Sequence, residues 1–336
     1  HLDMDAFYAS VELLRYPDLR GAAVVIGGGQ RYQPLQRADG SRKYARLRDY
    51  TGRGVITTST YEARALGVHS GMGVMKAAKL APDAVLLPVD FDQYRKYSKL
   101  FKTSVRAIAP HVEDRGIDEI YVDLSELPGV HADAGRSVGL ALKQAVREAT
   151  GLSCSVGITP NKLLSKLCSE LDKPDGLTLL SADQIPARIW PLPARRINGI
   201  GPKATEKLAG RGLHTIGDLA GAAPQFLIEK FGKNYGAWLH EAAHGRDCRD
   251  VITHSEPVSI SRETTFERDL HAVHDRATLG AIFTELCTEL SARLQSQVSV
   301  AIDRSSREYR APGLPGTTVV SDGLFAGADG AVPGRF

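Results

Sequence analysis

Over residues 1–180, short apolar runs alternate with stretches of helical spacing. "HLDMDAF" sets Leu2, Met4 and Ala6 on one side and Asp3 and Asp5 on the other, the period-two pattern of a half-buried strand. Further strands are predicted at 22–26, 54–58, 84–88, 120–124, 154–158 and 177–180. Tyr94, Tyr97, Phe101, Val105 and Ile108 recur at helical spacing, as do Val138, Leu142, Ala145 and Ala149, so helices with apolar stripes cover the strands. The first half is thus mixed α and β. After "KPDG" (173–176) the texture changes to short helices separated by glycine-containing turns, a small helical domain. A polar connector, "RDCRDVITHSEPVSISRE", leads to a strand-like "TTFERDL" and a helix with Leu279, Ile282, Phe283, Leu286, Leu290 and Leu294 on one face. Beyond about Ser305 the chain is rich in Gly, Pro, Ser and Ala without sustained period, which predicts loop or disorder. No internal repeat of fixed period is present.

A length of 336 residues exceeds one domain, and 24% charged residues is ordinary for a soluble protein. No apolar run approaches the roughly 20 residues of a membrane span, and no signal peptide is evident, so the reading is cytoplasmic. His1 falls in mid-strand by pattern, which places the true start before it. The four cysteines lack metal-ligand spacing and read as reduced and mostly buried, with no zinc site. Net charge is only +3, but its distribution is uneven. Arg31, Arg37, Arg42, Lys43, Arg46, Arg48 and Arg53 crowd a stretch with only Asp39 and Asp49 as counter-charges. That is either the footprint of a polyanion or a solvated flexible loop.

Carboxylates are the first candidate chemistry. Asp3 and Asp5 share one strand face, and Glu119 and Asp123 share another, which suggests a hard-cation site, since Mg²⁺ takes oxygen ligands; solvated strand ends remain the alternative. Strand alternation throws Asp118 and Glu119 to opposite faces, so both serve one site only if the chain turns, as Gly116 permits. In "TTSTYEARALG", Thr58, Tyr61 and Arg64 offer hydroxyls and a guanidinium to a phosphate, or simply decorate a surface helix. "NKLLSKLCSELDKPDG" carries Lys162, Lys166 and Lys173, the last before a turn able to hold its ammonium. "INGIGPKATEKL" reads as helix, hairpin, helix: Gly199 and Gly201 free the backbone, Ile200 plugs a core, and Pro202 opens the next helix. Its helix-start N–H groups, with Lys203 and Lys207 nearby, suit a backbone phosphate, unless the motif is a structural turn.

Together, "LDMDAFYASVE", "TYEARALGV", "GIDEIYVDL", "GITPNKLLSKLCSELDKPDG" and "INGIGPKATEKL" resemble a Y-family translesion DNA polymerase, most closely the bacterial DinB branch, over roughly residues 1–300. The resemblance implies an α+β right hand: an α+β palm (1–6 and 74–180), small fingers (7–73), a helical thumb with a helix-hairpin-helix (181–244), a linker (245–256) and an α+β little finger (257–336). It implies that Asp3, Asp118 and Glu119 bind two Mg²⁺ ions with the backbone carbonyl of Met4, and that Asp5 and Asp123 do not. Tyr8 corresponds to a steric gate against the ribose 2′-hydroxyl, with Phe7 beside it near the nucleotide. Thr58, Tyr61, Arg64 and Lys173 match positions that contact the incoming triphosphate. Small residues such as Thr57 and Ser59 fit a roomy roof over the templating base.

The expected activity is template-directed addition of dNTPs to a primer, by a monomer bound to primer-template DNA without proofreading. A sliding clamp is a further possible partner, though its binding tail is not recognisable here. The Arg-rich segment at about 28–52 is longer than in many relatives. The sequence after about 305 does not resemble the last little-finger strands and is expected to leave that domain incomplete. The alternative from another class is a non-catalytic DNA-binding scaffold of the same fold.

Overall fold

The computed structural model describes residues 1–255 and 259–304, and side chains as far as Gln295. In chain order the elements are β1 (Leu2–Met4), α1 (Phe7–Arg15), β2 (Val24–Gly27), β3 (Leu35–Gln36), β4 (Arg42–Lys43), β5 (Ala45–Arg46), β6 (Ile56–Ser59), α2 (Tyr61–Ala65), α3 (Val74–Leu80) and β7 (Val85–Leu87). They continue as α4 (Phe91–Ile108), β8 (Val112–Asp114), β9 (Glu119–Val122), α5 (Arg136–Thr150), β10 (Cys154–Ile158), α6 (Lys162–Ser169) and β11 (Leu177–Leu179). Then come α7 (Ile185–Arg188), α8 (Pro202–Ala209), α9 (Ile216–Gly221), α10 (Pro224–Phe231), α11 (Lys233–Ala243) and α12 (Arg276–Arg304). The chain divides into two units, His1–Ser255 and Glu256–Phe336.

In the first unit a five-stranded sheet runs β11-β10-β1-β9-β8, with only β10 and β11 parallel. Helices α4 and α5 pack together, and Phe101, Val105, Leu142 and Val146 join Leu2, Met4, Ile120 and Val156 in one apolar core. Helix α6 lies close against β10 because Gly157 has no side chain: a Cβ there would stand 2.3 Å from the Ser165 carbonyl oxygen. A second sheet runs β5-β7-β2-β6 over its own core of Val25, Leu47, Ile56, Val74 and Leu86. β7 pairs with β2 and β5, so Val85–Leu87 belong to this sheet.

Helices α7–α11 close around a third core that includes Ile200, Leu208, Leu227 and Leu239 and reaches Leu164 and Cys168 of α6. The first helix of the expected helix-hairpin-helix is only a three-residue 3₁₀ turn, Ala194–Arg196. In the second unit α12 carries the expected stripe with Leu279, Ile282, Leu286, Leu290 and Leu294 half-buried, but Phe283 is exposed. "TTFERDL" forms no strand, for among the described residues nothing offers it a hydrogen-bonding neighbour. The expectations beyond 305 lie outside the described residues. All four cysteines are free thiols; Cys154 and Cys168 are buried and Cys248 is exposed. Among the described residues no helix is long and apolar enough to cross a membrane.

Candidate active site

Strand register assembles an acidic cluster. Asp3 stands opposite Glu119 on one side and Ser155 on the other, so the three side chains rise from one face of the first sheet. Leu2, Ile120 and Val156 fill the opposite face. Like charges directly across a ladder repel, and lysines answer here. Lys173 Nζ lies 2.5 Å from Asp3 and 2.5 Å from Glu170, while Lys166, on α6, donates to Glu119. Burial still pushes the Asp3 carboxyl up to about 7; Lys173 opposes this, and the charges of Glu170 and Asp118 add to it. Burial would lower the Lys173 ammonium, but Asp3 and Glu170 outweigh it and hold it above the usual lysine range.

Asp118 enters through the bend that Gly116 makes plausible. The chain bends over residues 116–118, with Lys102 Nζ donating to the Gly116 carbonyl at 2.5 Å and to Asp114 at 2.8 Å. The Asp118 carbonyl accepts from Met4 N–H at 3.0 Å. Burial and then the Glu119 charge raise the Asp118 carboxyl, which marks it as a member of the same acidic cluster. Among the described residues a different trio comes together: one atom each from His1, Asp3 and Glu119 lie within 4.8 Å of one another. His1 Nδ1 is 2.8 Å from Ser169 Oγ, and its Nε2 is 3.3 Å from Glu119. His1 was missed in sequence, although alternation puts it on the face of Asp3. Carboxylate oxygens packed this closely and desolvated are a donor set that fits a hard cation.

The wall beside the cluster begins at Ala6, whose left-handed backbone (φ 42°) ends β1 and starts α1. Tyr8 stacks on Tyr94 at 4.3 Å with Phe91 edge-on at 6.0 Å. The Tyr94 phenol donates to buried Glu12 at 2.9 Å, and Arg15 donates to Glu12 and to Asp90 at 2.8 Å, so the backing ring is fixed from behind. Burial and then Asp118 raise the Tyr8 hydroxyl, placing it near the acids. The Phe7 side chain is 3% exposed and packs edge-on to Phe101 inside the core. Successive residues of a helix point about 100° apart, so Phe7 and Tyr8 cannot both face the cluster.

Across from it, the Arg64 guanidinium lies 4.9 Å over the Tyr61 ring and its Nε donates to the Ser59 carbonyl. Tyr61 has a buried hydroxyl without a hydrogen-bond partner. Burial pushes it up to about 12, Asp5 and Glu170 adding to the rise and Lys173 and Arg64 opposing it, so these groups converge. Thr58, on β6, is 7% exposed, and Ser59 Oγ is turned away onto the Val68 carbonyl. Farther off, Ile200 is buried between Gly199 (φ 108°) and Gly201, while Lys203 is exposed on the first turn of α8. A Cβ on Gly199 would meet the Trp238 ring at 2.8 Å. The structure does not bring Lys162 or Asp123 to the carboxylates: Lys162 pairs with Glu113, and Asp123 accepts from Ser125 N–H.

In the Arg-rich segment several arginines have partners within the protein. Arg31 donates to the Thr51 carbonyl, Arg42 lies over the Tyr16 ring, Arg46 donates to the Asp83 carbonyl and Arg48 pairs with Asp83.

This arrangement of sheets and helices is that of Y-family DNA polymerases. DinB from Sulfolobus solfataricus superposes with a TM-score of 0.62 at 26% identity over 75% of this chain and 68% of that one. A structure described as an insertion ternary complex of Dbh DNA polymerase gives 0.58 at 26% identity, over 76% and 68%. The chain belongs to the impB/mucB/samB family, whose profile matches residues 2–170 and whose C-terminal domain profile matches 257–307. It is 37% identical over 322 residues to the DNA polymerase IV of Streptomyces coelicolor, covering 95% of this chain but 59% of that protein. With the DNA polymerase IV of Methanoculleus marisnigri it shares 38% over 296 residues, 88% of this chain and 76% of the relative.

Proposed function

We propose that the chain is a DNA-directed DNA polymerase of the translesion type, with the five-stranded sheet as palm, the four-stranded sheet as fingers and α7–α11 as thumb. The observation that carries the reading is the Asp3–Glu119 pair, set face to face by register and each met by its own lysine, together with the unpartnered buried hydroxyl of Tyr61. Asp3, Asp118 and Glu119, with the Met4 carbonyl, would hold two Mg²⁺ ions, whose chemistry is to activate a primer 3′-hydroxyl and stabilise the oxygens of an in-line displacement.

The residues themselves supply the rest. Lys173 and Arg64 neutralise the triphosphate, and the orphan hydroxyl of Tyr61, with Thr58, donates to it. Tyr8, held by Tyr94, fills the space of a 2′-hydroxyl. Gly199–Gly201 and Lys203 grip one backbone phosphate without reading bases. Primer extension with Mg²⁺ and dNTPs tests the reading. Template binding without extension would replace it with the scaffold alternative.

A further inference from the structure

Asp5 is a buried carboxylate beside the cluster that the chemistry above leaves unused; it is 2% exposed. Three donors converge on it. Ser155 Oγ donates to Oδ1 at 2.8 Å, and Ser153 Oγ and the Asp175 backbone N–H donate to Oδ2 at 2.7 and 2.8 Å. Both oxygens therefore face β10 and the turn that follows Lys173. Asp5 does not belong to the group of ligand atoms formed by His1, Asp3 and Glu119.

That turn needs holding. Asp175 sits in the left-handed region (φ 58°), which is unfavourable for a residue with a Cβ. From the other side Lys143 Nζ donates to Asp175 Oδ1 at 2.6 Å and to the Gly176 carbonyl at 3.2 Å, and Arg147 donates to Asp175 Oδ2 at 2.6 Å. The Gly176 N–H donates to Ser155 Oγ at 3.1 Å, closing the network back onto Asp5. The turn is thus clamped between Asp5 and α5, and Lys173, two residues before the clamped amide, reaches Asp3 from it.

We propose that Asp5 is a positioning residue for Lys173: its carboxylate fixes the 174–176 turn and so sets where the ammonium meets the triphosphate of the incoming nucleotide. The proposal rests on the polymerase reading. Both Asp5 oxygens accept from donors of the chain itself, which turns them toward β10 and the turn.

Steady-state extension by the full chain tests it. Asp5→Ala should raise the dNTP KM about tenfold, the scale of one hydrogen bond to a charged acceptor, with kcat and DNA affinity within about twofold of wild type. Asp5→Asn still accepts from the Asp175 N–H and should recover most of the loss. In a Lys173→Ala background Asp5→Ala should add less than about twofold, because the group it acts through is gone. An unchanged KM, or the same rise in both backgrounds, overturns the proposal. Should Asp5→Ala fail to fold, Ser155→Ala loosens the same network and carries the same comparison. A wild-type chain that binds DNA without extending it refutes the polymerase reading and the proposal together, whereas a failed cycle in an active chain refutes the proposal alone.

Discussion

One stretch of sequence, residues 161–176, sends Lys162 to a buried carboxylate and Lys173 to a half-buried one, with opposite results. Lys162 meets Glu113 at 2.5 Å, and both are buried. Glu113 also accepts the Ile252 N–H at 2.8 Å, and Lys162 donates to the Asp250 carbonyl and lies over the Tyr121 ring. Burial would raise the Glu113 carboxyl, but Lys162 and the Ile252 amide outweigh it and hold it below the usual range. Lys173 instead divides itself between Asp3 and Glu170, with Glu119 across the ladder, and Asp3 rises to about 7. The satisfied pair is a joint that pins the segment after α11 to β8. At Asp3 the cost of burial exceeds what Lys173 returns, the kind of perturbed carboxylate that is a candidate for a functional site.

The largest effect should come from removing a carboxylate on the under-neutralised side. Glu119→Gln should cut extension by roughly a thousandfold or more while DNA binding measured by anisotropy stays near wild type; near-normal turnover would refute the assignment. Exchanging the two lysines' fates sharpens the contrast. Lys173→Ala should lower kcat/KM roughly tenfold to a hundredfold, by loss of charge-assisted contacts to phosphate, with little loss of stability. Lys162→Met should do the reverse, costing about 3 kcal/mol in denaturant unfolding because Glu113 is left buried and unpaired, with the dNTP KM unchanged. Equal profiles for the two variants would end the distinction.

The strand pattern made much of this legible. The run at 154–158 is the strand Cys154–Ile158, and the alternation of Asp3 against Leu2 and Met4 is the face that register presents to Glu119. What pattern left open was partner identity. Three lysines of one helix and turn look alike in sequence, and only the packing of α6 over Gly157 separates Lys166, on Glu119, from Lys162, on Glu113. In the Arg cluster, too, pattern cannot name partners: Asp18 and Asp83, which meet Arg42 and Arg48, are distant in sequence. A motif names Phe7 and Tyr8 as neighbours along the chain, while the helix sends their rings to different faces. The strand ladder joining β7 to β2 likewise leaves no local signal in the sequence.

A middle-sized effect belongs to the aromatic wall. Tyr8→Ala should admit ribonucleotides, moving the deoxy-to-ribo ratio of kcat/KM about a hundredfold, the scale on which a pocket rejects one added hydroxyl by shape. Unchanged sugar discrimination would remove Tyr8 from that role.

The smallest expected effect reads the opening comparison as a pair of opposite slopes. Glu113, with its folded-state pKa depressed, contributes stability that is present above its unfolded value near 4.5 and lost as pH falls through the folded value. Asp3, raised from 3.8 to about 7, does the opposite: its native form favours the proton, so stability declines as pH rises from about 4 to about 7. Asp3→Asn should therefore raise the Tm at pH 7 while stopping extension, and Glu113→Gln should lower it and flatten the acid limb. Thermal melts of both variants between pH 4 and 8 check this. A fall in Tm for both would mean that Lys173 satisfies Asp3 as fully as Lys162 satisfies Glu113, and that the cluster is not short of positive charge.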